Sequence, residues 1–325
     1  MSASTCLAVM YHYVRDSDAT PFPAIRALPP ALFERQLDWL QSSHRLIGFD
    51  DFHDAVRGRR SLPANAALLT FDDGFVDHYA TVLPILRARG LTGVFFLAYD
   101  ACGPTPRVLG VHKTHFLLAR LGSDTFRETV LRECELALTA EGGRTTRVFG
   151  ADGWERADER TVKELLNYEL PFDDADRVLD TLFARYIGEQ AAFAQKLYLD
   201  EPMVAEMARA GMTFGFHTRS HRMLSRLAIG EQETELGDGV SWIQRLTGQS
   251  HVPFCYPWGG PRTYTRETVA ALERTGFSMA FNTVRRRIDL ARDGRFDLPR
   301  IDTRDVHPYT SGDPSERPSD SEAEA

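Results

Sequence analysis

The sequence has few cysteines, no long apolar run and no excess of basic residues. Its four cysteines form no CxxC pair, so neither a zinc ribbon nor a disulfide framework is indicated. No stretch approaches the roughly 20 apolar residues of a membrane-spanning helix. The formal net charge of −8 argues against a nucleic-acid surface, where lysine and arginine cluster. These absences favour an ordinary globular protein with no nucleic-acid partner and no membrane span.

Both ends of the sequence are also short of particular features. The opening residues, MSASTCLAVMYHYVRD, lack a basic segment, and their apolar run is only about as long as one strand. We therefore predict a cytoplasmic protein without a signal peptide, in which the thiols are reduced and buried. The stretch 309–325 is polar and acidic, without an apolar anchor, and is predicted to be a disordered tail.

Short apolar strands alternate with helical patterns along most of the 325 residues. The predicted strands and strand-like elements lie at 7–11, 47–49, 66–71, 93–97, 213–216, 254–256, 279–281 and 299–302. About seven such strands separated by helices predict a mainly parallel, barrel-like α/β sheet. In such folds the functional residues lie just after the strands, at their carboxyl ends.

Residues from about 101 to 198 interrupt this alternation. Helical patterns stand out there at 114–121, 125–138 and 175–186. We predict a single barrel domain over 1–308 that is interrupted by this helical insertion. Its apolar helices could also pair with a second copy of the chain.

Two adjacent carboxylates, Asp72 and Asp73, directly follow the strand predicted at 66–71. Asp-Asp-Gly is ordinary turn chemistry, so this motif alone is weak. After another predicted strand, the run GFHTRSH spaces His217 and His221 so that one helical turn would put both on one face. Two such histidines alone could equally be solvated. Together, two imidazoles and a carboxylate are the ligand set of a catalytic zinc or related divalent site.

A metal site also explains why two carboxylates stand side by side. A bound divalent ion lowers the pKa of its water and polarises a carbonyl group. One aspartate can then bind the ion while its neighbour accepts the proton of that water, because adjacent carboxylates in different environments can take different roles.

These motifs resemble those of the polysaccharide deacetylases, the NodB-homology domains of carbohydrate esterase family 4. The family's TFDDG motif is present at 70–74 and its H[ST]xxH motif at 217–221. The resemblance covers roughly 5–100 and 200–305, and it implies a distorted (β/α)7 barrel of the NodB type.

The resemblance also implies roles for individual residues. Asp72 would be the general base, and Asp73, His217 and His221 would bind the metal. The ion expected there is Zn2+, although Co2+, Ni2+, Mn2+ or Fe2+ could occupy the same ligands.

The family's third motif, RxPY, is altered here to CYPWG at 255–259. The backbone N–H of Trp258 would serve the oxyanion hole, with Tyr256 and Gly259 beside it. Cys255 replaces the arginine that normally accompanies the base. We therefore expect Arg300 to take over that role, with Asp302 beside it.

The general acid is expected from a different motif. The family's LxH motif near the C-terminus is missing, whereas YHYV at 11–14 matches the YHxV segment of one branch of the family. His12 is therefore predicted to protonate the leaving amine. His307, directly before Pro308, is the rival candidate.

The resemblance implies a metal-dependent amide hydrolase that removes an N-acyl group, most often acetyl, from an amino sugar. With no signal peptide predicted, we expect a cytoplasmic biosynthetic intermediate as substrate: a nucleotide-linked or lipid-linked sugar, or a small glycoside. Hydrolysis of another C–N bond, in an N-formyl group, cyclic imide or ureide, is an alternative on the same barrel. A non-catalytic binding protein of this fold is another.

Overall fold

The computed structural model describes residues 5–139 and 159–308, so the tail predicted at 309–325 lies outside the described residues. The strands found there are β1 (Thr5–Tyr11), β2 (Arg45–Leu46), β3 (Ala66–Phe71), β4 (Val94–Leu97), β5 (Thr213–Phe216), β6 (Phe254–Cys255), β7 (Ala280–Phe281), β8 (Ile288–Asp289) and β9 (Ile301–Asp302).

The helices of the same ranges occur between and after these strands. They are α1 (Pro30–Ser43), α2 (Phe49–Val56), α3 (Leu83–Ala88), α4 (Tyr99–Cys102), α5 (Gly110–Leu121), α6 (Ser123–Thr139), α7 (Glu159–Glu164), α8 (Phe172–Tyr186), α9 (Gln190–Leu197), α10 (Glu201–Arg209), α11 (Ile229–Leu236), α12 (Gly239–Thr247) and α13 (Arg266–Thr275). A π-helical turn, His78–Val82, precedes α3. None of the helices in the described ranges combines the length and apolar character that a bilayer span requires.

The strands form one curled, mainly parallel sheet in the order β7-β6-β5-β4-β3-β1-β8, with β2 on β3 and β9 on β1. Only β8 runs antiparallel to its neighbour among the paired strands described. The segment 298–302 contacts both ends of the parallel part. Leu298 forms a parallel bridge with Phe281 of β7, and Ile301 pairs with Val9 of β1. The result is the distorted parallel barrel that the sequence predicts.

Alternation along the strands builds the core of this sheet. One face of β1, β3 and β4 supplies a common apolar cluster, which includes Ala8, Leu68 and Phe96. The opposite face is covered as well, because all six residues of β3 are buried. A strand buried on both faces needs a nearly continuous apolar run, and the sequence AALLTF provides one in which only Thr70 is polar.

The chain divides into two compact units. The first contains 1–16, 27–106 and 197–325 and holds the sheet, and the second contains 17–26 and 107–196. In the second unit, the apolar side of α8, with Val178, Leu179 and Leu182, packs with Phe126 and Val130 of α6. This unit is therefore helical and has its own small core.

Two of the predicted elements are wrong in detail. The strand predicted at 47–49 is replaced by β2 at Arg45–Leu46, and Phe49 already begins α2 behind the extended residue Gly48. The sequence pattern also predicts one continuous helix over 230–246, but the structure has two: α11 ends before Gly237, where φ is 36°, and α12 begins at Gly239.

Candidate active site

The sequence-predicted residues meet at the carboxyl ends of neighbouring parallel strands. Asp72 and Asp73 follow β3, and His12 follows β1. The register pairs Tyr11 with Phe71, so the residues after these two strands emerge side by side. His217 follows β5, two strands further along the sheet. The backbone N–H of Asp72 extends this ladder by donating to the Tyr11 carbonyl at 2.9 Å.

Asp73, His217 and His221 bring three ligand atoms together. The Nε2 atoms of both histidines lie 3.5 Å from Oδ1 of Asp73. Two atoms bound to one tetrahedral zinc ion at about 2.0–2.1 Å would be about 3.3 Å apart. The spacing therefore fits a divalent cation, and the mixed imidazole and carboxylate donors suit the same group of ions.

A second contact sets the tautomer of His217. Its Nδ1 lies 2.7 Å from the backbone carbonyl of Cys255, which can only accept a hydrogen bond. In the neutral ring Nδ1 therefore carries the proton, and the lone pair of Nε2 points to the ligand set. Metal-binding histidines are commonly oriented by such a contact on their other nitrogen.

The helical turn predicted for His217 and His221 is wrong. Residues 217–223 form a loop, in which Thr218 and His221 have positive φ angles of 64° and 62°. The His221 N–H donates to Oγ1 of Thr218 at 2.9 Å. The carboxylate of Glu235 accepts hydrogen bonds from the backbone N–H and the hydroxyl of Ser220. Side-chain contacts thus hold the strained loop and bring the two imidazoles together.

Asp72 is paired with a fully buried arginine. Two nitrogens of the Arg300 guanidinium donate to the two oxygens of Asp72, each at 2.7 Å. Further donors of this guanidinium reach the Thr70 hydroxyl at 3.1 Å and the Asn282 carbonyl at 3.1 Å. Burial by itself raises the pKa of the Asp72 carboxyl, but Arg300 outweighs this and holds that pKa below its ordinary value. Asp72 is therefore a buried, ionised and rigidly oriented carboxylate.

The cysteine of the altered third motif lies against this pair. Sγ of Cys255 is 2.9 Å from Nη2 of Arg300 and 3.5 Å from Oδ2 of Asp72. Burial raises the pKa of the Cys255 thiol. The small neutral thiol leaves room for a guanidinium that enters from the segment 298–302 rather than from β6.

His12 lies at the site and is partly open to solvent. Its Nε2 is 3.9 Å from Oδ2 of Asp72, and its side chain is 41% exposed. His307 instead is exposed beside α1, where its ring centroid is 6.0 Å from that of Trp39. Of the two sequence candidates for the general acid, the structure brings His12 to the carboxylates.

The remaining predicted residues differ in their placement. The Trp258 ring packs 5.8 Å from His221, and both Trp258 and Gly259 have positive φ. A Cβ on Gly259 would lie 2.6 Å from Cγ2 of Thr283, so the turn requires glycine. The Tyr256 ring is buried, and its hydroxyl donates to the Phe296 carbonyl at 2.9 Å.

Asp302 acts locally. One of its oxygens accepts hydrogen bonds from the backbone N–H of Arg304 at 2.8 Å and from the Nε of that residue at 3.3 Å. The side chain caps the short turn that follows β9.

Sequence reasoning missed a buried polar pair, Asp77 and His78, which follows the DDG turn. His78 donates through Nε2 to the His12 carbonyl at 3.0 Å. Asp77 accepts from the backbone N–H of Val14 and from Nε of Arg15. In the sequence the pair shows only as two polar residues shortly after the DDG turn, a position where exposed polar residues are common.

Comparison with known proteins supports the resemblance inferred from the motifs. A sequence model of the family described as polysaccharide deacetylase matches residues 169–280. The Bacillus subtilis protein YxkH, named for the same family, is 30% identical over 92 residues, which are 28% of this chain and 32% of that protein. The poly-β-1,6-N-acetyl-D-glucosamine N-deacetylase of Escherichia coli K12 is 33% identical over 84 residues, 25% of this chain and 12% of that enzyme. The chain thus matches a third or less of the length of these relatives.

Solved structures share the fold over nearly the whole chain. The deacetylase PplD of Streptococcus pyogenes, in complex with acetate, has a TM-score of 0.56 and 17% identity, with 93% of each chain covered. IcaB of Ammonifex degensii has a TM-score of 0.55 and 18% identity, with 92% of each chain covered. The fold is that of the NodB-type deacetylases. The resemblance of this chain to the polysaccharide deacetylase family is thereby confirmed.

Proposed function

We propose that this protein is a metal-dependent hydrolase that removes the N-acetyl group from an amino-sugar-containing substrate. One observation carries the proposal: a three-ligand set and an ionised carboxylate lie side by side at the carboxyl edge of the sheet. Asp73 contributes to the ligands, whereas both oxygens of Asp72 are paired with Arg300. The two neighbouring carboxylates are therefore equipped for different tasks.

Asp73, His217 and His221 would hold the ion. Zn2+ fits two imidazoles and a carboxylate, and Co2+, Ni2+, Mn2+ and Fe2+ share this preference in part. When bound, such an ion supplies Lewis acidity, which lowers the pKa of water and polarises the acyl carbonyl. Three protein ligands leave positions open for water and substrate, as catalytic sites require.

Asp72 would accept the proton of the attacking water. Its pairing with Arg300 lowers its basicity, but it also keeps the buried carboxylate ionised and fixes its direction. The Trp258 N–H would donate to the oxyanion that forms at the carbonyl. His12, partly exposed and close to Asp72, would then give a proton to the departing nitrogen.

The names of the relatives support the substrate class that we propose. The Escherichia coli enzyme is named for poly-β-1,6-N-acetyl-D-glucosamine, which supports an N-acetylated hexosamine unit as the group recognised. A cytoplasmic biosynthetic intermediate remains the substrate we predict from the sequence. Acetate release from nucleotide-linked and lipid-linked N-acetyl sugars, small glycosides and β-1,6-linked N-acetylglucosamine oligomers, compared in one assay, separates these substrates.

Two alternatives have less support. Hydrolysis of N-formyl groups, cyclic imides or ureides would use the same centre, but the named relatives act on N-acetylglucosamine polymer or are polysaccharide deacetylases by name. A non-catalytic binding protein has no need for an ionised carboxylate beside the three ligands.

The two aspartates offer a matched test. Asp73→Asn should lose bound metal and turnover, because an amide is a poor substitute for a ligating carboxylate. Asp72→Asn should keep the metal and lower kcat by about 100-fold or more, the usual effect of removing a general base. Elemental analysis and acetate release measure the two quantities separately. Full turnover in Asp73→Asn, or an unchanged kcat in Asp72→Asn, contradicts these roles.

A further inference from the structure

The backbone that carries His12 is held by two buried side chains from the chain segment after β3. His78, fully buried, lies with Nε2 3.0 Å from the carbonyl oxygen of His12. Its neighbour Asp77, 6% exposed, receives the backbone N–H of Val14 at 3.2 Å through Oδ2. The same oxygen receives Nε of Arg15 at 2.7 Å. Three successive contacts therefore fix residues 12–15 where they leave β1.

The surroundings of His78 define its charge and tautomer. The rings of Phe71, Phe75 and Phe95 lie around it, with centroids at 5.5, 5.9 and 5.5 Å. Burial in this apolar setting lowers the pKa of His78 to about 4, so the ring is neutral at neutral pH. Since a carbonyl only accepts, the proton must be on Nε2. Among the described residues Nδ1 has no hydrogen-bond partner, which agrees with a bare lone pair there.

The local helix geometry agrees with a role for this residue. A π-helical turn begins at His78 and passes into α3 at Leu83. Such turns are rare and occur often at functional sites, since they place one side chain out of the regular α-helical series. Here the turn starts with the side chain that reaches back to β1.

We propose that His78 is a positioning residue for His12. By donating to the His12 carbonyl, it fixes the backbone from which the imidazole projects to within 3.9 Å of Asp72. Without this contact the segment keeps its Asp77 contacts but loses the one at His12 itself. The inference rests on the proposed function, in which His12 is the general acid.

A double-mutant cycle tests this role in the full-length metal-loaded protein. His78→Leu removes the donor, His78→Gln keeps an N–H donor on a neutral side chain, and His12→Ala removes the imidazole. We expect His78→Leu to lower kcat for acetate release about 10-fold, with KM and metal content unchanged, and His78→Gln to recover part of the loss. In the His12→Ala background, His78→Leu should cause no further decrease, because residues that act through one another are not additive.

The controls separate this inference from the proposed function. Equal losses from His78→Leu in both backgrounds would mean that His78 only supports packing, and an unchanged kcat in His78→Leu would also overturn the inference. Unchanged turnover in His12→Ala would instead reject His12 as the acid, and His307→Ala provides the comparison.

A further control tests whether the loss of any buried histidine is enough to lower kcat. His53→Leu removes another buried histidine, which stacks on His251 at 4.1 Å. We expect it to affect stability and not kcat. Should His78→Leu fail to fold, His78→Gln and His78→Asn replace it in the cycle. Full additivity of both with His12→Ala would overturn the proposal.

Discussion

At the residue scale, the positive charge beside Asp72 is supplied by Arg300, which directly precedes β9. Cys255 stands at the position where the motif that this sequence resembles has arginine, and its Sγ lies 2.9 Å from Nη2 of Arg300. The positive charge beside Asp72 therefore comes from the segment 298–302 and not from the altered third motif. Bidentate pairing of guanidinium and carboxylate fixes direction as well as charge, which lysine could not provide.

His78 makes a pH-dependent contribution to stability with a definite sign. Its pKa is about 4 in the folded protein, against 6.5 for a histidine exposed to water as in the unfolded chain. Between these values the unfolded chain binds more protons, so the contribution is fully present above pH 6.5 and is lost as the pH falls towards 4. The free energy of unfolding should decrease by up to about 3 kcal/mol over this range.

Denaturant titrations of the metal-free protein at pH 7.5 and 4.5 measure this effect. His78→Gln should show a correspondingly weaker dependence, since every other titrating group, Asp77 included, remains in both proteins. Identical pH slopes for the wild type and His78→Gln would show that His78 is not the group responsible.

At the element scale, the strand β5 and the loop after it are built around a glycine. A Cβ on Gly215 would lie 2.4 Å from Cδ1 of Phe96 and 2.7 Å from the Pro253 carbonyl oxygen. The Phe96 ring is fully buried and the Pro253 carbonyl belongs to the backbone, so neither can move easily to make room for a methyl group. Residues of both neighbouring chain segments therefore approach β5 closely at Gly215, two residues before His217.

Gly215→Ala should consequently lower the free energy of unfolding by about 2 kcal/mol, the usual effect of overpacking. Gly230→Ala is the matched control, because the added methyl group meets nothing within 4 Å and Gly230 lies in α11. There we expect a gain of about 0.5–1 kcal/mol. Urea midpoints at constant m-value measure both changes, and equal effects would contradict the packing argument.

The elements also show how far the sequence predicts the site. The apolar run of β3 with Asp72 and Asp73 at its end is local information, and it correctly indicates a buried strand. The loop of His217 and His221 is not predictable by spacing, because Glu235 and the Thr218 hydroxyl favour positive φ over a helical turn. His78 was missed for a different reason: its partner His12 lies 66 residues away in the sequence, so no local pattern indicates the contact.

At the scale of the whole molecule, the sheet unit contains every residue of the proposed site. The helical unit, 17–26 and 107–196, has a separate core and includes only the start of the stretch matched by the family's sequence model, 169–280. Because the proposed metal ligands all belong to the sheet unit, metal binding can be tested through its effect on the stability of the protein.

Metal binding should stabilise the whole molecule. A ligand that binds only the folded state at 100 times its Kd adds about 2.7 kcal/mol, which corresponds to a Tm increase of several degrees. We expect Zn2+ added to protein stripped with a chelator to raise Tm, and the chelator to reverse the change. Asp72→Asn should retain the shift and Asp73→Asn should lose it. A shift of equal size in Asp73→Asn would place the bound ion elsewhere.

The segment 298–302 bridges β7 and β1 and also carries Arg300. A growing chain that has reached Phe281 already contains Asp72 and all three proposed ligands, but it has no guanidinium for the base. Asp72 would then gain its guanidinium partner last, when the segment 298–302 joins the sheet. Hydrolytic activity would accordingly require that the segment 298–302 has joined the sheet, whereas metal binding would not.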